Sequence, residues 1–423
     1  MSCGRGAALI GAAPLLLILW TMLAPGHAAE PARLIGAEKL RPFFTALAAL
    51  DQRRSRAPVR IMQIGDSHTA SDSFSGRMRE RLQDRFGAAG RGWLPAGVPY
   101  KYFQPRLVTV SETGWRHLRA SDTDDKPPLG LDAVVARATE ADARMTLSSN
   151  DADGFDRVAV EFVARPDGQP LTIRADQNPP ARIVTAAPKI GVRRSEVLLP
   201  KPAHQLDLVA SGPPGTEVLG WAVERRRSGV IYENHGSVGG TVRLLERLDP
   251  ATVSFELADR RPALLVIAFG TNEGFRDGLD PADYAARFRA AVGSLARRAR
   301  GGAVLVLGPP DGNRRPGECA GNAGCSVGPS TQGDNCAWTV PPKLAEVRAA
   351  QRRLALRQGW AFWDWSAAMG GACSMHQGLG EDPPLAMPDH VHLSKAGYVR
   401  TADRLFTDLM RAYDEWKRAP RRR

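Results

Sequence analysis

Val59-Arg-Ile-Met-Gln-Ile-Gly-Asp-Ser-His-Thr-Ala-Ser-Asp-Ser-Phe74 is the stretch that decides how this chain is read. Ile61, Met62 and Ile64 make a near-continuous apolar run, the pattern of a parallel strand covered on both faces. Gly65 interrupts it with backbone freedom other residues lack, and a helical pattern starts at about Asp72. The stretch therefore reads as strand, tight turn, helix. Ser67 falls just past the strand's carboxyl end, where open α/β sheets place their ligands. A serine there is close to backbone N–H groups able to stabilise an anion; the alternative is a Gly-Asp-Ser turn without chemistry.

A second piece lies near the other end, Asp389-His390-Val391-His392-Leu393-Ser394, before a helical pattern. Residues three apart on a turn face the same way, so Asp389 can bond one ring nitrogen of His392 while the other points at Ser67. Nucleophile, base and orienting carboxylate are then all present. Acyl transfer also needs donors for the developing oxyanion, each worth about a hundredfold to a thousandfold. Gly239, through its backbone N–H, and Asn272, through its side-chain amide, are candidates at two further strand ends. Taken singly, both are ordinary turn residues.

Apolar spacing places helices at Ala37 to Arg53 and after Ser67, where Phe74, Met78, Leu82 and Phe86 repeat. From about Gln104 to Arg227 short alternating segments such as Val158 to Phe162, Leu171 to Ile173 and Leu206 to Val209 are separated by turn signals, an all-β sandwich pattern. The Gly- and Pro-rich residues Gly87 to Pro99 precede it. Beyond Val230 strands and helices alternate again: Val230-Ile231, a helix over Val242 to Leu248, Leu264 to Phe269, a helix Pro281 to Arg300, Val304 to Leu307, a helix Lys343 to Gln358, Trp360 to Trp365 and a last helix Ser394 to Trp416. The expected fold class is α/β, three layers around a central parallel sheet, interrupted by an inserted β-sandwich module. The boundaries are 30–103 and 228–416 for the α/β part, 104–227 for the module and 417–423 for a basic tail.

Residues 1–29 carry Arg5, an apolar run from Ala7 to Leu23 and small residues through Ala29, which read as a cleaved signal peptide, with a retained anchor as the rival. Of five cysteines, four follow it: Cys319, Cys325, Cys336 and Cys373. An even number in an exported chain implies two disulfides of unassigned connectivity. The net charge of +12 in 423 residues suits anionic wall or surface polymers outside the membrane, or a solvated basic surface. Nucleic acid is not expected as a partner, and the chain reads as a monomer. Gly324-Cys325-Ser326-Val327-Gly328 matches a nucleophile-elbow pattern, but no strand precedes it. Asp389, His390 and His392 have metal-ligand spacing, yet only His68 offers itself as a further ligand, so no metal is expected.

In combination the motifs resemble the SGNH (GDSL-like) hydrolases: Gly65-Asp66-Ser67-His68 their first block, Asn234 to Gly239 their second, Gly270-Thr271-Asn272 their third, and Asp389 to His392 their Asp-x-x-His block. The resemblance spans roughly Ala37 to Tyr100 and Arg227 to Trp416. It implies Ser67 as nucleophile and first N–H donor, Gly239 and Asn272 as the other donors, and Asp389 with His392 as the acid/base pair. Asp66 supports the turn or orients Ser67. Glu273 stands where many relatives have Asp, and His68 where the founding motif has Leu, both off the proton path. An exported member with Gly-Asp-Ser-His-Thr and a β module between its first two blocks resembles the peptidoglycan O-acetylesterases of Gram-negative bacteria, whose module resembles a carbohydrate-binding fold. That implies a periplasmic or secreted, cofactor-free ester hydrolase acting on an acetylated wall polysaccharide through an acyl-serine intermediate. The alternatives are an O-acetyltransferase with the same site and a non-catalytic polysaccharide-binding protein.

Overall fold

A computed structural model describes residues 33–120, 127–315 and 338–420. The apolar run around Ile61 is the strand Val59–Gly65, buried along its whole length. It lies between Val230–Gly236 and Leu264–Ala268, and the sheet continues through Ala303–Gly308 and Ala361–Asp364, all parallel. Leu34–Ile35 closes the far edge antiparallel. Counting the parallel strands along the chain gives the order 2-1-3-4-5. In that arrangement the direction of winding reverses between the first strand and the third, and the reversal opens a crevice at their carboxyl ends. Ser67 and Asn272 follow those two strands.

Alternation along the strands divides the core in two. Ile61, Val266, Leu305 and Trp363 face one side, packed with Phe43, Phe44, Leu47, Phe74, Met78, Leu82, Leu405 and Tyr413 of the helices Arg41–Asp51, Ser73–Phe86 and Lys395–Arg418. Met62, Ile64, Leu265, Ile267, Val304 and Phe362 face the other, with Leu257, Tyr284, Phe288, Val292 and Val347 of Pro250–Arg260, Pro281–Arg298 and Pro342–Gln358. Helices on both faces are what strands apolar on both sides require, since each fully buried large side chain contributes about 1.5–3 kcal/mol.

Between the first two parallel strands, the described residues from Gly90 to Glu224 form two antiparallel sheets, one of five strands and one of six. Their inner faces share a core of Met145, Leu147, Val158, Val160, Phe162, Ile173, Leu206, Leu208, Val218 and Trp221. Within the Gly- and Pro-rich residues, Gly90–Pro95 is a strand paired with Glu217–Glu224. Here Gly90, at φ +113°, lets the chain approach so closely that a Cβ would stand 2.6 Å from Glu224 Cα. The α-helix expected over Val242 to Leu248 does not form. Only a 3₁₀ turn, Val242–Glu246, forms there, and the helix is Pro250–Arg260, begun by Asp249 capping the Thr252 N–H with Pro250 in the first turn.

A buried ionic network fastens the sandwich to the α/β layers. Arg60 bonds Glu224 at 2.7 and 2.8 Å and Glu233 at 3.1 Å, while Arg260 bonds Glu161 at 2.8 Å and lies 3.8 Å over the Trp93 ring. Asp132 takes bonds from Trp93 Nε1 at 2.5 Å and His235 Nδ1 at 2.9 Å. Burial works against the His235 imidazolium, but Asp132 and Glu233 overcome it and raise the ring to about 9. Cys373 is disulfide-bonded; Cys319, Cys325, Cys336, the Gly324 to Gly328 pattern and the expected signal segment lie outside the described residues. No helix among the described residues is long and apolar enough to cross a membrane.

Candidate active site

Ser67 opens the short helix Ser67–Ala70 directly after the strand. Gly65 is required there because any side chain would collide with Thr69 Oγ1 and the Ala268 carbonyl. Asp66 caps the turn, its carboxylate accepting the His68 N–H at 3.0 Å. Burial, with the Glu273 charge nearby, pushes the Asp66 carboxyl up to about 7 against the hydrogen bonds it accepts from His68 and Thr271. Among the described residues no bond joins Asp66 to the Ser67 hydroxyl; it holds the turn.

The turn is pinned from a second direction by groups the sequence did not single out. Asp72, buried and at φ +50°, accepts Arg79 and Arg91 at 2.9 Å each, Ser75 Oγ at 2.7 Å and the Arg106 N–H at 2.9 Å. Burial alone would raise its carboxyl, but the two guanidiniums hold it far below the ordinary range. Asn234, one strand over, donates its amide to the Thr69 carbonyl and Ser75 Oγ at 2.6 Å each. An arginine pair flanking one buried carboxylate leaves no periodic signal; only the second-block resemblance pointed to Asn234.

Across the crevice, Asp389 Oδ1 accepts the N–H groups of Val391 at 3.0 Å and His392 at 2.9 Å, and Oδ2 lies 2.7 Å from His392 Nδ1. His392 Nε2 is 2.9 Å from Ser67 Oγ. A carboxylate only accepts, so Nδ1 carries the hydrogen and Nε2 is left to accept the serine hydroxyl. Burial raises the Asp389 carboxyl, but the bonds from the His392 backbone and ring and from Val391 outweigh it and hold the group below its usual value. The chain Ser67–His392–Asp389 is thus connected end to end, poised to draw the proton from Ser67 as its oxygen forms a bond.

His68 sits behind this line, buried, with Nδ1 2.9 Å from Tyr398 Oη and its ring 5.2 Å from that of His392. Burial and the neighbouring His392 push it down to about 3, so it stays neutral. His390 faces away and packs. Its ring stacks 3.3 Å from Trp338 and 5.1 Å from His376, while its backbone, at φ +55°, is clamped by Met387 and Asn313. Burial, followed by His376, lowers it to about 4. This packing fixes the residue next to Asp389 in the chain, so we propose that His390 positions the Asp389 turn. His390→Ala is expected to lower kcat on a small ester by about tenfold with KM little changed, because a misplaced acid/base turn costs rate more than binding. Steady-state kinetics check this, and an unchanged kcat would show that the turn stands without the stack.

The remaining candidates lie on the loops after the two flanking strands. Gly239 adopts φ +71° with open space where a Cβ would be. Asn272, in the turn Thr271–Gly274, donates Nδ2 to the Gly240 carbonyl at 2.8 Å, and the buried Glu273 carboxylate accepts the Val242 N–H at 2.7 Å. Second and third blocks are therefore tied together, on strands either side of the one leading to Ser67. His235, given no partner by the sequence, bonds Asp132 in the network described above. The pairing is invisible in sequence because Asp132 lies in the sandwich region.

A family model of GDSL-like lipases and acylhydrolases matches residues 207–400. A solved peptidoglycan O-acetylesterase is 26% identical, with a TM-score of 0.73 over 90% of this chain and 99% of that one. Residues 207–400 thus carry a GDSL-like (SGNH) hydrolase domain. The fold of this hydrolase, its mixed α/β layers with extra antiparallel sheets, follows that structure over nearly its whole length, and it is an enzyme of the carboxylic ester hydrolase type. An acetyl xylan esterase, 15% identical with a TM-score of 0.28 over 43% of this chain and 80% of that one, and a Cellvibrio japonicus family two carbohydrate esterase, 11% identical with a TM-score of 0.27 over 73% and 98%, are far more distant. No curated protein sequence matches this SGNH hydrolase.

Proposed function

We propose that this SGNH hydrolase removes O-acetyl groups from an acetylated polysaccharide of the extracytoplasmic wall, most readily peptidoglycan, through an acyl-serine intermediate. The observation that carries the reading is the unbroken hydrogen-bonded line from Ser67 through His392 to Asp389 at the crevice of a chain 26% identical to a peptidoglycan O-acetylesterase. Ser67 Oγ adds to the acetyl carbonyl while His392 Nε2 takes its proton. Asp389 keeps the ring in that tautomer and stabilises the imidazolium. The N–H groups of Ser67 and Gly239 and the free amide hydrogen of Asn272 receive the oxyanion. Collapse of the intermediate expels the sugar oxygen, which takes the proton from His392, and leaves acetyl-Ser67. Water, deprotonated by the same ring, then releases acetate and restores Ser67.

Hydrolysis is favoured over transfer to a second sugar by the site's openness. The Asp389 and His392 side chains are 50% and 37% exposed among the described residues, so water reaches the base. The test is acetate release by the purified protein from O-acetylated peptidoglycan, with acetylated xylan and a chromogenic acetate ester alongside. Release from peptidoglycan in preference to xylan is expected. Cleavage of the chromogenic ester with acetate passing to an added sugar acceptor would replace the hydrolase by a transferase.

A further inference from the structure

The end of the central sheet opposite Ser67 carries a groove of about 730 Å³ whose lining is dominated by arginine. Three segments build it: Leu50 to Arg56, between the first long helix and the strand Val59–Gly65; Arg85 to Gly87, where Ser73–Phe86 ends; and Arg226 to Ser228, just before Val230–Gly236. Each precedes or underlies the amino end of a parallel strand, and Ser67 lies beyond the carboxyl end of the seven-residue strand between, about 20 Å away. The groove is a site separate from the crevice.

Its charge is lopsided. The lining holds Arg53, Arg56, Arg85, Arg226 and Arg227 against the single carboxylate of Asp51. Asp51 is itself occupied by Tyr413 Oη at 2.6 Å and Lys417 Nζ at 2.9 Å, bonds that outweigh its burial and hold it below the ordinary range. Arg85, Arg226 and Arg227 each reach one carboxylate outside the lining, Asp414, Asp156 and Asp153. Arg53 and Arg56 are exposed and have no carboxylate within ion-pair distance among the described residues. Leu50 and Phe86, the apolar members, are each only 8% exposed, so the surface presents guanidinium forks and no apolar side chain that would enter a membrane.

We propose that this groove binds an acidic glycan strand, its carboxylates paired with the guanidiniums of Arg53 and Arg56, and that it holds polymer independently of the reaction at Ser67. Guanidinium pairs with carboxylate through two parallel hydrogen bonds, and a lining that repeats its arginines suits a chain that repeats its charge. The arrangement leaves the crevice free for ester groups on the same polymer, which raises their local concentration at Ser67.

The test is binding of the purified full chain to polygalacturonate, with dextran as the neutral control. Arg53→Glu with Arg56→Glu is compared with Arg174→Glu and Arg182→Glu, two exposed sandwich arginines whose reversal changes net charge equally. At low salt the first pair is expected to weaken polygalacturonate binding by about tenfold or more, the second by less than about twofold, and added salt to narrow the difference. Cleavage of a small chromogenic acetate ester stays unchanged in both, which separates this site from the catalytic assignment. Equal losses in the two double variants would reduce the groove to net charge, and unchanged binding in the first would exclude it. Retention on phosphatidylglycerol vesicles without retention on polygalacturonate would overturn the glycan assignment in favour of a lipid surface.

Discussion

Ser67→Ala is expected to lower turnover of a chromogenic acetate ester by about a thousandfold or more, and His392→Ala by a similar factor. In the proposed mechanism Ser67 Oγ forms the covalent bond, and among the described residues His392 Nε2, 2.9 Å away, is the base that reaches it. Combining the two is expected to cost little beyond either alone, because each removes the same step. Asp389→Asn should cost less. Its side chain is half exposed, so solvent screens part of its charge, yet it also aligns the ring through two backbone bonds and one to Nδ1. All three side chains sit at the crevice rather than in the core, so thermal unfolding should shift by only a degree or two, on the order expected for surface changes. Full activity in Ser67→Ala would sink the assignment.

The second large effect is on stability. Arg260 has a fully buried side chain, and it compensates Glu161 at 2.8 Å, with Glu256 at 3.6 Å and Glu233 at 3.9 Å. Burial disfavours its charge, but these carboxylates raise its affinity for the proton well beyond the usual guanidinium value. Arg260→Ala strands Glu161 without its closest cation and empties the space over Trp93, so unfolding is expected to become easier by about 3–5 kcal/mol. Denaturant melts measure this directly. Adding Glu161→Gln to Arg260→Ala should recover part of the loss, since the group left behind no longer carries charge. A loss below about 1 kcal/mol would show that water or rearrangement already solvates the cluster.

The strand at Val59–Gly65, the parallel sheet and the alternating sandwich strands were legible because their signals are local: apolar runs, period-two alternation and turn residues. The Ser67, His392 and Asp389 line was legible for another reason, since the tight turns that carry it leave short, specific motifs. What escaped was non-local. The strand Gly90–Pro95 is held by a partner more than a hundred residues on, and its two glycines mimic a loop. The helix Pro250–Arg260 was displaced in the reading because Val242, Leu244, Leu245 and Leu248 copied helical spacing while packing from a 3₁₀ turn. Asp72 with Arg79 and Arg91, and His390 with Trp338, become partners only once the sheet order is known.

The long excursion between the first and second parallel strands also shapes how the chain acquires its structure. Pairing Val59 with Val230 closes a loop of roughly 170 residues, and strand pairings so distant in sequence slow folding. Emerging from a ribosome or a translocation pore, Val59–Gly65 must wait, apolar on both faces, until both its neighbours have appeared. The sandwich residues, whose contacts are largely among themselves, are expected to complete first and shorten the effective gap. Refolding from denaturant should then proceed in two kinetic phases, an early one reporting Trp221 in the sandwich and a later one reporting Trp363 in the sheet.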